Sequence, residues 1–110
     1  MSEPVYQVIG DAAEVAENRG KAYIVDGVQI AVIRHGGRLH AMDEFCTHAD
    51  ASLAFGIVKD GCVACPWHYA EFDLETGAAK SLPAVKPVRI FPVRETADGK
   101  IEVAIGGGDA

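Results

Sequence analysis

Residues 21–34 read KAYIVDGVQIAVIR. Two runs rich in β-branched and aromatic side chains, Lys21 to Val25 and Val28 to Arg34, meet at Asp26-Gly27. An Asp-Gly pair accepts the positive φ angles of a two-residue turn, so this stretch predicts a β-hairpin. The same punctuation recurs on either side. Gly36-Gly37 leads into RLHAM (38–42), and Asp60-Gly61 and Thr76-Gly77 interrupt the middle of the chain, where from Cys46 to Pro87 the strand signal weakens as for an irregular insertion in an all-β frame. Near the end, Thr96-Ala97-Asp98-Gly99 separates VRIFPVR (88–94) from KIEVAI (100–105). Short strands at this spacing, with no long helical pattern between them, predict an all-β antiparallel sandwich or barrel. One short helix is expected near the start. Asp11 and Glu14 have capping-box spacing, Ala12 to Ala16 are permissive, and Asn18-Arg19-Gly20 stops the helix after about two turns.

The chain of 110 residues suits a single domain, 1–110. With 49% apolar and 24% charged residues it is not a disordered chain. Ten basic residues stand against sixteen acidic ones, a net charge of −6. That balance argues against binding nucleic acid or an anionic membrane surface, both of which call for a basic patch. Met1-Ser2-Glu3-Pro4 has neither the basic nor the apolar part of a secretory signal, and no apolar run reaches membrane length, so a cytoplasmic protein is expected. The tail Gly106 to Ala110 reads as a frayed end.

Three cysteines are too few for a disulfide framework, and metal ligation is the better use to look for. Cys46-Thr47-His48 is followed, after sixteen residues, by Cys65-Pro66-Trp67-His68. The Asp60-Gly61 turn lets the chain double back and bring the two Cys–His pairs together. Thiolates select zinc or iron and exclude calcium and magnesium. A compact zinc site usually combines a Cys–Cys pair with a His–His pair, whereas each motif here mixes the two. The spacing is easier to satisfy if each motif sends its cysteine to one iron and its histidine to another, as in a Rieske 2Fe-2S centre. A structural zinc module stays open as the alternative.

These two motifs, with FDLETG (72–77) after them, closely resemble those of Rieske ferredoxins, the small electron carriers of bacterial aromatic-ring-hydroxylating dioxygenase systems. The resemblance runs over nearly the whole chain, and Leu82-Pro83-Ala84 is similar to the family's cluster-shielding proline loop. It implies a β-sandwich with a smaller cluster-binding subdomain, about 45–86, made of two ligand loops and the proline loop. It also implies one 2Fe-2S cluster, with Cys46 and Cys65 on the inner iron and His48 and His68 on the outer one. The implied function is one-electron carriage from an NAD(P)H-dependent flavoprotein reductase to a terminal oxygenase. The chain would not itself be an enzyme, since it lacks room for a second, mononuclear iron site. A monomer docking transiently through an apolar rim of Pro66, Trp67, Tyr69 and Pro83 is expected. The alternative within the resemblance is the Rieske small subunit of a nitrite-reductase-type complex.

Three departures, at five positions, bear on these expectations. Tyr69 stands where the family usually has glycine. Ala51 and Trp67 occupy the positions of the disulfide cysteines of respiratory Rieske proteins, so no such bridge forms. Ala70 and Phe72 replace a serine and a tyrosine that donate hydrogen bonds to sulfur in the respiratory type. Losing those donors destabilises the reduced state, so a potential near the low end of the Rieske range, about −150 mV, is expected. Of the remaining candidates, Cys62 reads as a small buried strand residue. His35 and His40 read as solvated positions on or beside a hairpin.

Overall fold

The computed structural model describes residues 5–45, 51–66, 70–80 and 86–105. Among these described residues ten strands follow one another: β1 (Tyr6–Asp11), β2 (Arg19–Val25), β3 (Val28–His35), β4 (Arg38–Asp43), β5 (Ile57–Lys59), β6 (Cys62–Ala64), β7 (Glu71–Asp73), β8 (Ile90–Phe91), β9 (Val93–Glu95) and β10 (Lys100–Ala104). They form three antiparallel sheets, ordered β1-β10-β9, β2-β3-β4-β8 and β5-β6-β7. The expected all-β antiparallel architecture is what the chain adopts.

The opening hairpin follows its sequence. β2 and β3 pair in register from Arg19↔Arg34 to Val25↔Val28. Asp26 and Gly27 turn the chain with φ of +51° and +79°, the backbone of a tight primed turn. β3 then does more than a hairpin strand needs to. Ile30, Ala31, Val32 and Ile33 are all fully buried, because side chains alternate faces and both faces are covered. Ile30 and Val32 pack with Ala41, Phe91, Ile101 and Val103 against the β1-β10-β9 sheet. Ala31 and Ile33 pack with Met42, Leu53, Val63, Cys65, Ala70 and Phe72 against the β5-β6-β7 sheet. The central sheet is thus a wall with one core on each side.

Three sequence expectations are corrected. The helix near the start is a single 3-10 turn, Ala12–Glu14; Asp11 lies in extended backbone and its side chain makes no cap bond. Glu14 instead accepts from the Tyr23 hydroxyl and pairs with Lys21. The preceding residues form β1, whose Val8 is exposed, like Val5 just before it, and whose pattern does not alternate. The run 88–94 is not one strand. Pro92 has no N–H to give to a ladder, so β8 pairs with β4 before it and β9 pairs with β10 after it. The Pro92 carbonyl still accepts the Ala104 N–H at 3.0 Å. Finally, the middle of the chain is not an irregular insertion, for β5, β6 and β7 run through it. The tail 106–110 lies outside the described residues.

Candidate metal centre

The segment 46–50, bearing Cys46 and His48, leaves and rejoins the described chain at a neck that is heavily bonded. Phe45 bridges Ser52, and the Leu53 N–H donates to the Glu44 carbonyl at 2.6 Å. The Ser52 hydroxyl donates to Glu44 Oε2 at 2.8 Å and accepts the Ala54 N–H at 3.2 Å, capping the 3-10 turn Leu53–Phe55. Glu44 is the one buried charged residue among those described, at 9% exposure. A carboxylate is kept out of water only where hydrogen bonds replace its hydration, and here the Ser52 bond does so.

The second motif grows from the β6–β7 ladder. Val63 faces Phe72 and Ala64 faces Glu71, and the Cys65 N–H donates to the Ala70 carbonyl at 2.8 Å. Cys65 and Ala70 are both fully buried. Residues 66–69 therefore connect the two members of a hydrogen-bonded pair. A third segment, 81–85, is bracketed similarly: the Lys80 N–H reaches the Glu71 carbonyl at 2.7 Å, and the Val88 N–H reaches the Gly77 carbonyl at 2.9 Å. Asp73 tightens the turn after β7. Its carboxylate accepts the Glu75 and Thr76 N–H groups at 2.8 and 3.0 Å, which hold its carboxyl below the usual aspartate range.

Ala51, where the first segment ends, belongs to the same buried cluster as Cys65, Ala70 and Phe72. Both motifs thus spring from one core on one side of the central sheet. Of the four ligand candidates only Cys65 lies within the described residues; Cys46, His48 and His68 lie outside them. So do Trp67, Tyr69 and Pro83 of the expected docking rim, and the rest of the proline segment, Leu82 and Ala84. Pro66 is half-buried. Cys65 carries a free thiol with no exposure, and a buried sulfur sharing its core with Ala51, the residue after the first Cys–His segment, suits an iron–sulfur group better than hydrated calcium or magnesium. Among the described residues, no three His, Cys, Asp or Glu side chains gather to hold a metal ion elsewhere.

Cys62 lies at the other end of β6 and is half-buried, more open than its sequence context suggests. Burial and then the nearby Glu71 and Asp73 push its thiol up, which keeps it protonated and inert. The two other histidines are half-buried rather than freely solvated. His35 contacts partners through both ring nitrogens. His40 is half-buried, and that burial is the main cause lowering its pKa from the usual imidazole value. Sequence reasoning missed Glu44 and Ser52. Ser52 ahead of Leu-Ala-Phe is an N-cap signal available in the sequence, but the burial of Glu44 has no local signature.

A family model described as the Rieske [2Fe-2S] domain matches residues 5–92. The ferredoxin subunit of anthranilate 1,2-dioxygenase from Burkholderia cepacia is 42% identical over 98 residues, 89% of this chain and 90% of that one. Among solved structures, the ferredoxin of carbazole 1,9a-dioxygenase from Nocardioides aromaticivorans IC177 superposes with a TM-score of 0.82 at 33% identity, covering 94% of this chain and 98% of that one. A ferredoxin in complex with the oxygenase of carbazole 1,9a-dioxygenase has a TM-score of 0.81 at 27% identity, covering 93% and 94%. A structure described as a putative NADH-dependent nitrite reductase small subunit from Mycobacterium tuberculosis has a TM-score of 0.84 at 28% identity, covering 93% and 96%. No helix among the described residues is long and apolar enough to cross a membrane.

Proposed function

This chain belongs to the Rieske [2Fe-2S] domain family and is an electron-transfer component of the dioxygenase-ferredoxin type, and we propose that Cys46, His48, Cys65 and His68 hold its single 2Fe-2S cluster. The observation that carries the ligand assignment is the common root of the two motifs: Ala51 and Cys65 share one buried cluster on one face of the central sheet. Cys46 and Cys65 supply the two thiolates, and His48 and His68 the two imidazoles. When bound, the cluster accepts and releases one electron at a time. The protein's own part is rigidity. The Phe45–Ser52 bridge, the Glu44–Ser52 hydrogen bond and the Cys65–Ala70 bond fix the chain on both sides of the ligand residues, so little reorganisation accompanies a change of charge. The surrounding residues 45–86 form the cluster-binding unit of a single domain.

The electrons come from an NAD(P)H-dependent flavoprotein reductase and go to a terminal ring-hydroxylating oxygenase in the cytoplasm. The oxygenase leg is supported by the similarity to a ferredoxin in complex with its oxygenase. Docking is transient, by a monomer, through Pro66, Trp67, Tyr69 and Pro83. A small patch of this kind gives the weak, fast contact that a shuttle needs.

Serine replacement of each cysteine tests the ligand set. Cys46→Ser and Cys65→Ser should lose the visible spectrum, the acid-labile sulfide and the EPR signal of the dithionite-reduced protein. Cys62→Ser should keep all three. A coloured Cys65→Ser protein, or an EPR signal of all-sulfur coordination, would overturn the assignment. Trp67→Glu should then retain the cluster but slow electron delivery, and an unchanged rate argues against the docking rim. A chain that copurifies tightly with a large reductase favours the nitrite-reductase-type subunit instead.

A further inference from the structure

Three segments distant in sequence meet at the turn between β3 and β4. The Glu17 carboxylate accepts the Gly36 N–H at 2.6 Å and the Gly37 N–H at 3.0 Å. The next residue, Asn18, adopts a left-handed φ of +60° and sets its Oδ1 2.7 Å from His35 Nδ1. Across the ring, the Gly61 N–H donates to His35 Nε2 at 3.1 Å. Gly61 lies in the β5–β6 turn, and its carbonyl accepts the Leu74 N–H at 2.9 Å. Two neighbours complete the seam: Arg38 pairs with Glu75 at 2.9 Å, and His40 is hydrogen-bonded to the Leu74 backbone. The small sheet is therefore fastened to the β3–β4 hairpin at the end of β6 remote from Cys65.

The proton inventory of the His35 ring follows from these partners. A backbone N–H can only donate, so Nε2 must present a lone pair. The single hydrogen of a neutral imidazole then sits on Nδ1 and donates to Asn18 Oδ1, and no other tautomer satisfies both sides. An imidazolium carries hydrogens on both nitrogens and has nothing to offer Gly61. The charged groups around the ring are Glu17 from the segment before β2, Arg34 beside it on β3, Arg38 and His40 on β4, and Glu75 after β7, with Asp60 preceding the donor Gly61. None of these charges restores the acceptor that Gly61 loses when the ring gains its second proton.

We propose that neutral His35 is a pH-gated pin between the β5-β6-β7 sheet and the β3–β4 hairpin, seated while the ring is neutral and released when it gains a second proton. The test follows the ring and the amide together in the cluster-loaded, oxidised protein. Imidazole nitrogen–proton correlation spectra report the tautomer, and amide hydrogen exchange reports Gly61, from about pH 8 to about pH 5. The expected result is the Nδ1–H tautomer at the upper end. As the ring protonates, Gly61 exchange, corrected for its intrinsic pH dependence, should speed up by about threefold to tenfold, the worth of one hydrogen bond. His35→Gln, whose carboxamide can accept from Gly61 and donate to Asn18, should keep Gly61 protected at every pH, whereas His35→Phe should leave it open throughout. An Nε2–H tautomer at the upper pH, or Gly61 exchange indifferent to ring protonation, overturns the proposal. Both readings come from the unaltered chain, so neither depends on a variant folding.

Discussion

Gly77 leaves β7 with a φ of +78°, and a Cβ built there would run into the Val88 carbonyl oxygen. The same glycine donates to the Asp73 carbonyl and accepts from the Val88 N–H, so the backbone has no slack with which to yield. Gly36 has a similar φ of +63° but opens onto free space. The pair separates the two costs of adding a methyl group. Gly36→Ala should carry only the left-handed backbone penalty, about 1 kcal/mol. Gly77→Ala should cost about 3 kcal/mol or more, because strain and collision add. Denaturant unfolding of the two variants checks this, and equal losses would mean that the segment at Val88 shifts freely. Both glycines were legible as turn residues, but the collision was not, since Val88 is eleven positions away. His35 shows the same limit: a histidine beside Gly-Gly reads as a solvated hairpin end, and nothing local announces Asn18 and Gly61 as its partners.

At the scale of elements, β3 explains both what sequence patterning reads well and where it stops. KAYIVDGVQIAVIR identifies a hairpin because turn chemistry is local. The unbroken run Ile30 to Ile33 records that both faces are covered, but not which element covers each one. The short strands β5 to β7 escape sequence patterning because three residues are too few to display a period of two. Pro92 was visible, yet the exchange of sheets it imposes on 88–94 depends on where β4 and β10 lie. The two-faced role of β3 yields a discriminating pair of variants. Ile30 and Ile33 are equally buried, Ile30 toward the β1-β10-β9 sheet and Ile33 toward the core that holds Cys65. Ile30→Ala and Ile33→Ala should each cost about 2–5 kcal/mol. Only Ile33→Ala should also speed bleaching of the cluster's visible absorption well below the unfolding midpoint. Equal bleaching in both variants would mean that the two cores are not separate in function.

The whole molecule brings core and charge to bear on one quantity, the reduction potential. Ala70 and Phe72 are fully buried in the cluster of side chains that contains Cys65. The respiratory type has hydroxyls at these positions, and neither side chain here has a proton to donate. The chain's net charge of −6 also opposes the arrival of an electron, although solvent screens the more distant charges. Both influences destabilise the reduced state, so the midpoint should fall near the low end of the Rieske range, about −150 mV. Ala70→Ser, the smallest change that restores a donor, should shift it upward while leaving the visible spectrum recognisable. Spectroelectrochemical titration of the native chain and of this variant measures both. A native midpoint above about 0 mV, or a serine variant that does not move, would mean that donors other than side-chain hydroxyls at 70 and 72 govern the potential. Backbone N–H groups of the two ligand segments, with the Thr47, Trp67 and Tyr69 side chains, would then be the groups to examine, because they are donors close in sequence to Cys46 and Cys65.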